Sequence, residues 1–224
     1  MPPCSLRWHY YPLGVNFDPV AKPYRWMEYL SFGPFLERCR NTYVAKLAGA
    51  RHALVLGDGD GRFLNRLLHD NSRLTADVVD SSRSMLHVLE NRLGSSRQRI
   101  QVHHTDALAW EPAGNYDLIV SHFFLDCFFP EQVEQLLDRV LPHARPGALW
   151  VISEFAIPAK PILGPFAAAL VGLLYRIFKI LTCLRVRSLP DYANALRKRG
   201  LVLVEERSRL GGLLCAQLWS LPAG

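Results

Sequence analysis

The sequence predicts an α/β fold: one mostly parallel, seven-stranded sheet with helices on both faces and an antiparallel edge at its C-terminal end. Three observations predict it. First, residues 53–61 run an apolar stretch straight into Gly57-Asp58-Gly59-Asp60-Gly61, and a helical pattern of Phe63, Leu64, Leu67 and Leu68 follows. Strand, glycine turn, helix is the opening unit of a nucleotide-binding α/β sheet. Second, strand-length patterns recur at 76–79, 100–105, 116–121 and 148–152, with helical patterns between several of them. Third, two final strand patterns, 201–205 and 213–219, flank Gly211-Gly212, which suits an antiparallel hairpin.

In chain order, residues 1–50 come before the sheet and read as an N-terminal helical cap, with 51–224 as the main domain. An aromatic, proline-rich entry holds Tyr10. A helix over 24–30, beginning at Tyr24, ends near Gly33-Pro34, and a second helix covers 35–47. This cap is either a packing layer over the sheet or a lid that closes on bound molecules.

The glycine loop comes next. A dinucleotide fingerprint would need glycine at 62 or 64, which are Arg62 and Leu64. The run is Gly-x-Gly-x-Gly and carries two acids, so a ligand with an ammonium or sulfonium group suits it better than a pyrophosphate. Asp80 ends the second strand 19 residues after Gly61, where such folds set a carboxylate on ribose hydroxyls. The alternative is an N-cap for a helix over 81–93. Asp106 follows the third strand and is placed to meet an adenine amino group. Ser121 ends the fourth strand.

His122, Phe124, Asp126 and Phe128 then lie on what should be the active-site rim. His122 is a candidate general base, with Asp126 orienting it or a substrate hydroxyl. The alternative is a packed histidine and a capping aspartate. A helix from Pro130 carries Val133, Leu136, Leu137 and Val140 at helical spacing. Pro146-Gly147 leads into strand 148–152, then Ser153-Glu154. Residues 161–187 begin with an uncharged apolar stretch, 161–175, too short to span a bilayer. It reads as a buried helix, a lid over an apolar pocket, or a membrane-surface helix with a basic edge. A helix over 190–199 precedes the hairpin.

Composition bounds the function. At 224 residues, half of them apolar and 21% charged, the chain is long enough for one α/β domain with a large core. A net charge of +6 permits an acidic partner, but the basic residues are scattered rather than gathered in one run. The five cysteines show neither Cys-x-x-Cys pairing nor zinc spacing, which predicts reduced thiols and no metal site. With no apolar signal core at the N-terminus, a cytoplasmic protein is expected, peripheral to a membrane if 161–187 lies on one.

Residues 53–154 together resemble a class I S-adenosylmethionine-dependent methyltransferase, a Rossmann-like fold. The resemblance rests on the glycine loop, Asp80, Asp106, the 116–121 strand and the 141–147 turn. It implies S-adenosylmethionine as cofactor. Gly57, Asp58, Gly59 and Gly61 would shape the methionine side, and Asp80 would take the ribose with Ser81 and Met85 beside it. Asp106 and Ala107 would face the adenine, with Ser121 and His122 near the sulfonium. Val55 departs from the acidic residue the family often carries there.

Phe17-Asp18, Val20-Ala21, Tyr24, 30–33, Arg40 and Ser153-Glu154-Phe155 also resemble the ubiquinone/menaquinone C-methyltransferase family. That likeness implies a small, largely apolar acceptor; Tyr10, Tyr24, Phe124 and Phe128 are the aromatic residues expected to wall it at the strand-end rim, and a monomer or homodimer is expected. Leu125-Asp126-Cys127 departs from the family's Arg-Asn pair. The competing readings are a nucleic-acid methyltransferase, which the charge allows although no Asn/Asp-Pro-Pro-Tyr/Phe stretch follows the fourth strand, and a non-catalytic cofactor-binding protein.

Overall fold

The computed structural model describes residues 32–156 and 190–223. The expected helix over 24–30, Tyr10 and Tyr24, and the 161–187 segment lie outside the described residues.

The chain enters through helix α1 (Phe35–Arg40), continues as a 3-10 segment (Asn41–Leu47), and reaches strand β1 (His52–Leu56). Helix α2 (Arg62–Asp70), β2 (Thr75–Asp80), α3 (Arg83–Leu93), β3 (Ile100–His104) and β4 (Tyr116–His122) follow. Then come α4 (Pro130–Val140), β5 (Ala144–Phe155), α5 (Tyr192–Lys198), β6 (Val202–Arg209) and β7 (Leu214–Ser220).

The seven strands form one sheet in the order β3-β2-β1-β4-β5-β7-β6. Pairings from β3 through β5 are parallel, and β7 runs antiparallel to both β5 and β6. This is the predicted architecture. The single helix expected over 35–47 differs in detail, because it tightens from α to 3-10 after Arg40. Strand β5 also starts earlier than 148. Gly147 lies within it at φ +79° and donates its N–H to the Leu221 carbonyl, so the turn residues are absorbed into the strand.

Burial on both faces explains the continuous apolar runs. Alternate residues of β1 serve opposite cores. Ala53 and Val55 pack with Leu36, Tyr43, Phe63, Leu67, Leu86 and Leu89, and so under α1, α2 and α3. Leu54 and Leu56 pack with Val133, Leu136, Leu137, Trp150, Leu196 and Trp219, and so under α4 and α5. Each fully buried large side chain contributes about 1.5–3 kcal/mol relative to exposure. Among the described residues, no helix is long and apolar enough to cross a membrane.

One polar knot lies within the sheet. The Asp77 carboxylate accepts the Tyr116 hydroxyl at 2.6 Å, with the Nε2 atoms of His52 and His103 at 3.3 and 3.4 Å. Burial opposes ionisation of Asp77, but these bonds outweigh it and hold its carboxyl below the usual range. A depressed carboxyl stabilises the fold fully above its unfolded value, near 3.9, and loses that contribution as pH falls through the folded value. Asp77→Asn should therefore cost about 1.5–3 kcal/mol at pH 7, the worth of bonds to a charged group. Urea melts at pH 7 and pH 3 check this, with the wild-type advantage shrinking at pH 3.

Candidate functional site

Strands β1 and β4 are neighbours whose following helices, α2 and α4, leave to opposite faces of the sheet. A crevice opens at the carboxyl ends of strands where the direction of winding reverses. The 57–61 loop, the end of β2, and the segments after β3 and β4 surround it.

The three loop glycines all take positive φ, +64°, +61° and +77°. Two of them make room for this chain's own side chains. A Cβ on Gly57 would stand 2.2 Å from the Phe124 ring, and one on Gly61 would stand 2.7 Å from Leu89 Cγ and 3.1 Å from its Cα. Beyond the expected shaping of the methionine side, Gly57 and Gly61 thus have a packing role. Gly61 is a packing glycine between α2 and α3.

The two acids of the loop part company. Asp60 bonds Arg62 Nε at 2.9 Å and Arg92 at 3.0 Å, an ion-pair node tying α2 to α3. Asp58 is buried, and its Oδ2 accepts the Leu64 N–H at 3.1 Å, capping the first turn of α2. Its Oδ1 is buried and has no partner. Burial pushes the Asp58 carboxyl up to about 7, against the Leu64 N–H and the Arg40 guanidinium, which favour the charged form.

Asp80 ends β2 as expected, and its Oδ1 accepts the Ser82 N–H at 2.8 Å. It is not the helix cap. That role falls to Ser82, whose hydroxyl accepts the Met85 N–H at 3.2 Å. The Ser81 carbonyl accepts His104 Nε2 at 3.1 Å, and the Met85 side chain is buried. Asp106 holds the turn after β3 through the Leu108 N–H at 2.9 Å, and burial pushes its carboxyl up. Ala107 beside it is buried.

At the end of β4 the alternation of the strand divides the expected site. The Ser121 hydroxyl accepts Trp150 Nε1 at 3.0 Å inside the α4–α5 core, so it is a core hydrogen bond rather than a rim group. His122 points to the opposite face, edge-on to Phe63 with ring centroids 4.4 Å apart. Both of its ring nitrogens are buried without a partner, and burial, with Arg40 adding to it, holds its pKa well below 6.5. His122 and Asp126 therefore do not form the expected base–orienter pair. Successive strand residues face opposite ways, and Asp126 belongs with the other face.

Asp126 lies instead with Glu154 in a buried pair, with the half-buried Cys127 and Tyr192 nearby. Glu154 Oε1 accepts the N–H groups of Phe124 and Leu125 at 3.1 and 2.8 Å, while Oε2 is buried without a partner. Burial and the charge of Asp126 hold the Glu154 carboxyl well above its usual range. Burial pushes Asp126 up to about 6, against a bond from the Cys127 thiol at 3.5 Å. The Tyr192 hydroxyl is raised by its own burial and by Glu154. Phe124 and Phe128 meet edge to face at 4.9 Å, with Phe128 in the core and Phe124 half-buried over Gly57.

Three residues of this site were not among the expected ones. Arg40 is buried, with its guanidinium 5.1 Å over the Phe123 ring. Glu154 carried a legible signal, an acid closing an apolar strand. Tyr192 carried none, because its place depends on where α5 docks.

Residues 54–150 match the family model described as a methyltransferase domain. Over that span the chain is similar to a methyltransferase domain. Among curated proteins, none matches the chain in sequence. An O-methyltransferase family protein from Burkholderia thailandensis aligns with a TM-score of 0.70 and 16% identity, over 91% of this chain and 60% of that one. The mitomycin 7-O-methyltransferase MmcR aligns at 0.68 and 17%, over 93% and 61%. The N-methyltransferase NodS from Bradyrhizobium japonicum, in complex with S-adenosyl-L-homocysteine, aligns at 0.63 and 18%, over 84% and 88%.

At these identities the likeness is one of fold, the class I methyltransferase fold. The chain spans about three fifths of the length of the two O-methyltransferases it matches. The cofactor of such a methyltransferase domain is S-adenosylmethionine. The residues present fit it: Asp58 Oδ1 is an orphaned buried acceptor beside the loop, and Asp80 stands at the end of β2.

Two outcomes test the geometry of the domain. Gly61→Ala should cost about 1–3 kcal/mol through overpacking against Leu89, read as a lower urea midpoint. The His122 ring should stay neutral at pH 6 by its ring-nitrogen NMR shifts. Its folded pKa lies below the unfolded value near 6.5, so the unfolded chain alone takes up that proton as pH falls. His122→Phe should then reduce the loss of stability between pH 7 and pH 5.

Proposed function

We propose that the chain transfers the methyl group of S-adenosylmethionine to a small, largely apolar molecule. The observation that carries this reading is the orphaned, buried carboxylate oxygen of Asp58 at the glycine loop, one strand away from a Phe-lined rim.

Asp58 would accept from the ammonium group of the cofactor, with the Arg40 guanidinium near enough to bias the same polar end. The ammonium charge favours the ionised carboxyl, which burial alone disfavours. Asp80 would take the ribose hydroxyls, and the turn at Asp106 and Ala107 would lie along the adenine. When bound, the cofactor supplies a methyl group already activated on a sulfonium. The protein's share is then positioning and exclusion of water. The buried polar groups at the strand ends and the half-buried Phe124 suit both tasks. Its aromatic rings support an apolar body for the acceptor, and the resemblance to quinone C-methyltransferases supports a ring-shaped one. The single-run basic surface that a nucleic-acid substrate would call for is missing from the sequence.

Calorimetry of the full chain with S-adenosylhomocysteine tests the reading. Binding in the micromolar range is expected. Asp58→Asn and Asp80→Ala should each weaken it by about 1–3 kcal/mol, the cost of a buried donor left unpaired. Absence of binding by the intact chain would overturn the assignment, and NAD binding in its place would make the loop a dinucleotide site.

A further inference from the structure

Of the four buried acids that the cofactor reading leaves unused, Asp60 and Asp77 are taken up by ion pairs and hydrogen bonds within the fold, which leaves Asp126 and Glu154. They come from neighbouring parallel strands, one just after β4 and one at the end of β5. Both are buried, Glu154 completely. Two backbone N–H groups fix Glu154 Oε1, so its orientation is set, while Oε2 is left without a partner among the described residues. Phe124 links this pair to the glycine loop. Its N–H bonds Glu154 and its ring lies on Gly57. The pair therefore stands one residue away from the loop assigned to the methyl donor.

We propose that Asp126 and Glu154 form a subsite for a basic amine on the acceptor, holding its ammonium group and taking the proton that must leave before the nitrogen is methylated. The assignment rests on the methyltransferase reading of the same rim. Two buried carboxyls side by side do not both ionise cheaply. A cation between them removes that cost, whereas a hydroxyl brings no charge to offset it. Among the described residues, the titratable groups facing the pair add no cation: Cys127 on the same loop, Tyr192 at the start of α5, Cys39 on α1, and Asp80, which faces Cys127.

The step balances. The ammonium gives one proton to the carboxylate, and the freed nitrogen lone pair forms the N–C bond. The S–C bond of the sulfonium donor breaks with its electron pair going to sulfur. A methylammonium, a neutral thioether and a protonated carboxyl result.

The test uses the full chain and two matched probes, 2-phenylethylamine and 2-phenylethanol, titrated calorimetrically in the presence of S-adenosylhomocysteine at pH 7.5. The amine should bind at least about tenfold more tightly than the alcohol. It should also release about one proton from the pair, read from two buffers of different ionisation heat. Glu154→Gln retains an oxygen to accept the two backbone N–H groups, and Asp126→Asn leaves Glu154 intact. Each should cut the preference to below about threefold with S-adenosylhomocysteine affinity unchanged. Equal affinity for the two probes at any level, or a preference surviving in both variants, overturns the subsite. S-adenosylhomocysteine binding is read separately on the same sample. Its loss with the amine preference intact would overturn the methyltransferase reading and leave the amine subsite standing.

Discussion

A strand buried on both faces has no neutral side, and this constraint decides what the rim of the sheet can do. In β4, Leu118 and Val120 face the α1–α3 core while Ile119 faces α4 and α5. The same alternation carries on past the apolar residues. Ser121 is drawn into a hydrogen bond with Trp150, and His122 is turned against Phe63 on the opposite side. In β5, Ser153 reaches the Cys39 carbonyl on one face while Glu154 joins Asp126 on the other. Two polar groups adjacent in sequence are thus kept in different environments by 180° of pleat.

Burial then sets the chemistry of each environment. On the α1–α3 side, Arg40 makes a positive surrounding that favours a charged Asp58 and a neutral His122. On the α4–α5 side, acids face one another without an intervening described cation, so Glu154 and Asp126 both lean towards the protonated form. The first environment suits the cationic and anionic ends of an amino acid moiety. The second suits a proton donor with positive charge. Opposite fields within one crevice can orient a donor and an acceptor head to head before any contact specific to either is made.

Much of the fold was legible in the sequence because its signals are local. The run into Gly57–Gly61 marked β1 and α2, and Gly211-Gly212 marked the hairpin. Strand β5 was read short because Pro146-Gly147 looks like a turn; Gly147 does take a left-handed φ of +79°, but its bond to Leu221 and an irregularity in the β4 register carry the strand through it. The site was legible where a residue acts at its own strand end, as Asp80 does. It was misread where the outcome depends on which way a side chain leaves the sheet. His122 and Asp126 were expected as a base and its orienter, whereas the end of the strand and the following 3-10 turn set them apart. Gly57 and Gly61 were read as ligand clearances, yet their partners, Phe124 and Leu89, come from elements distant in the chain. Tyr192 sits beyond a long intervening segment, and no pattern local to it shows that its hydroxyl feels the charge of Glu154.

The polar groups that only hold the fold together are well satisfied. Asp77 takes bonds from three side chains, Asp60 pairs with two arginines, and Ser121 has Trp150. At the carboxyl ends of β1, β4 and β5 the rule lapses. Asp58 Oδ1, both nitrogens of His122 and Glu154 Oε2 are buried without partners. Each such atom costs about 1–3 kcal/mol. Asn41, Arg139 and Arg209 also hold orphaned atoms elsewhere, but singly, at helix and strand margins. Concentrated at one end of one crevice, the deficit is several times the cost of a single lapse. A sheet with well-filled cores on both faces has no packing reason to leave polar groups bare there. Groups that complete these bonds on binding would recover the same energy as affinity, and recover it only in the orientation that meets all of them together.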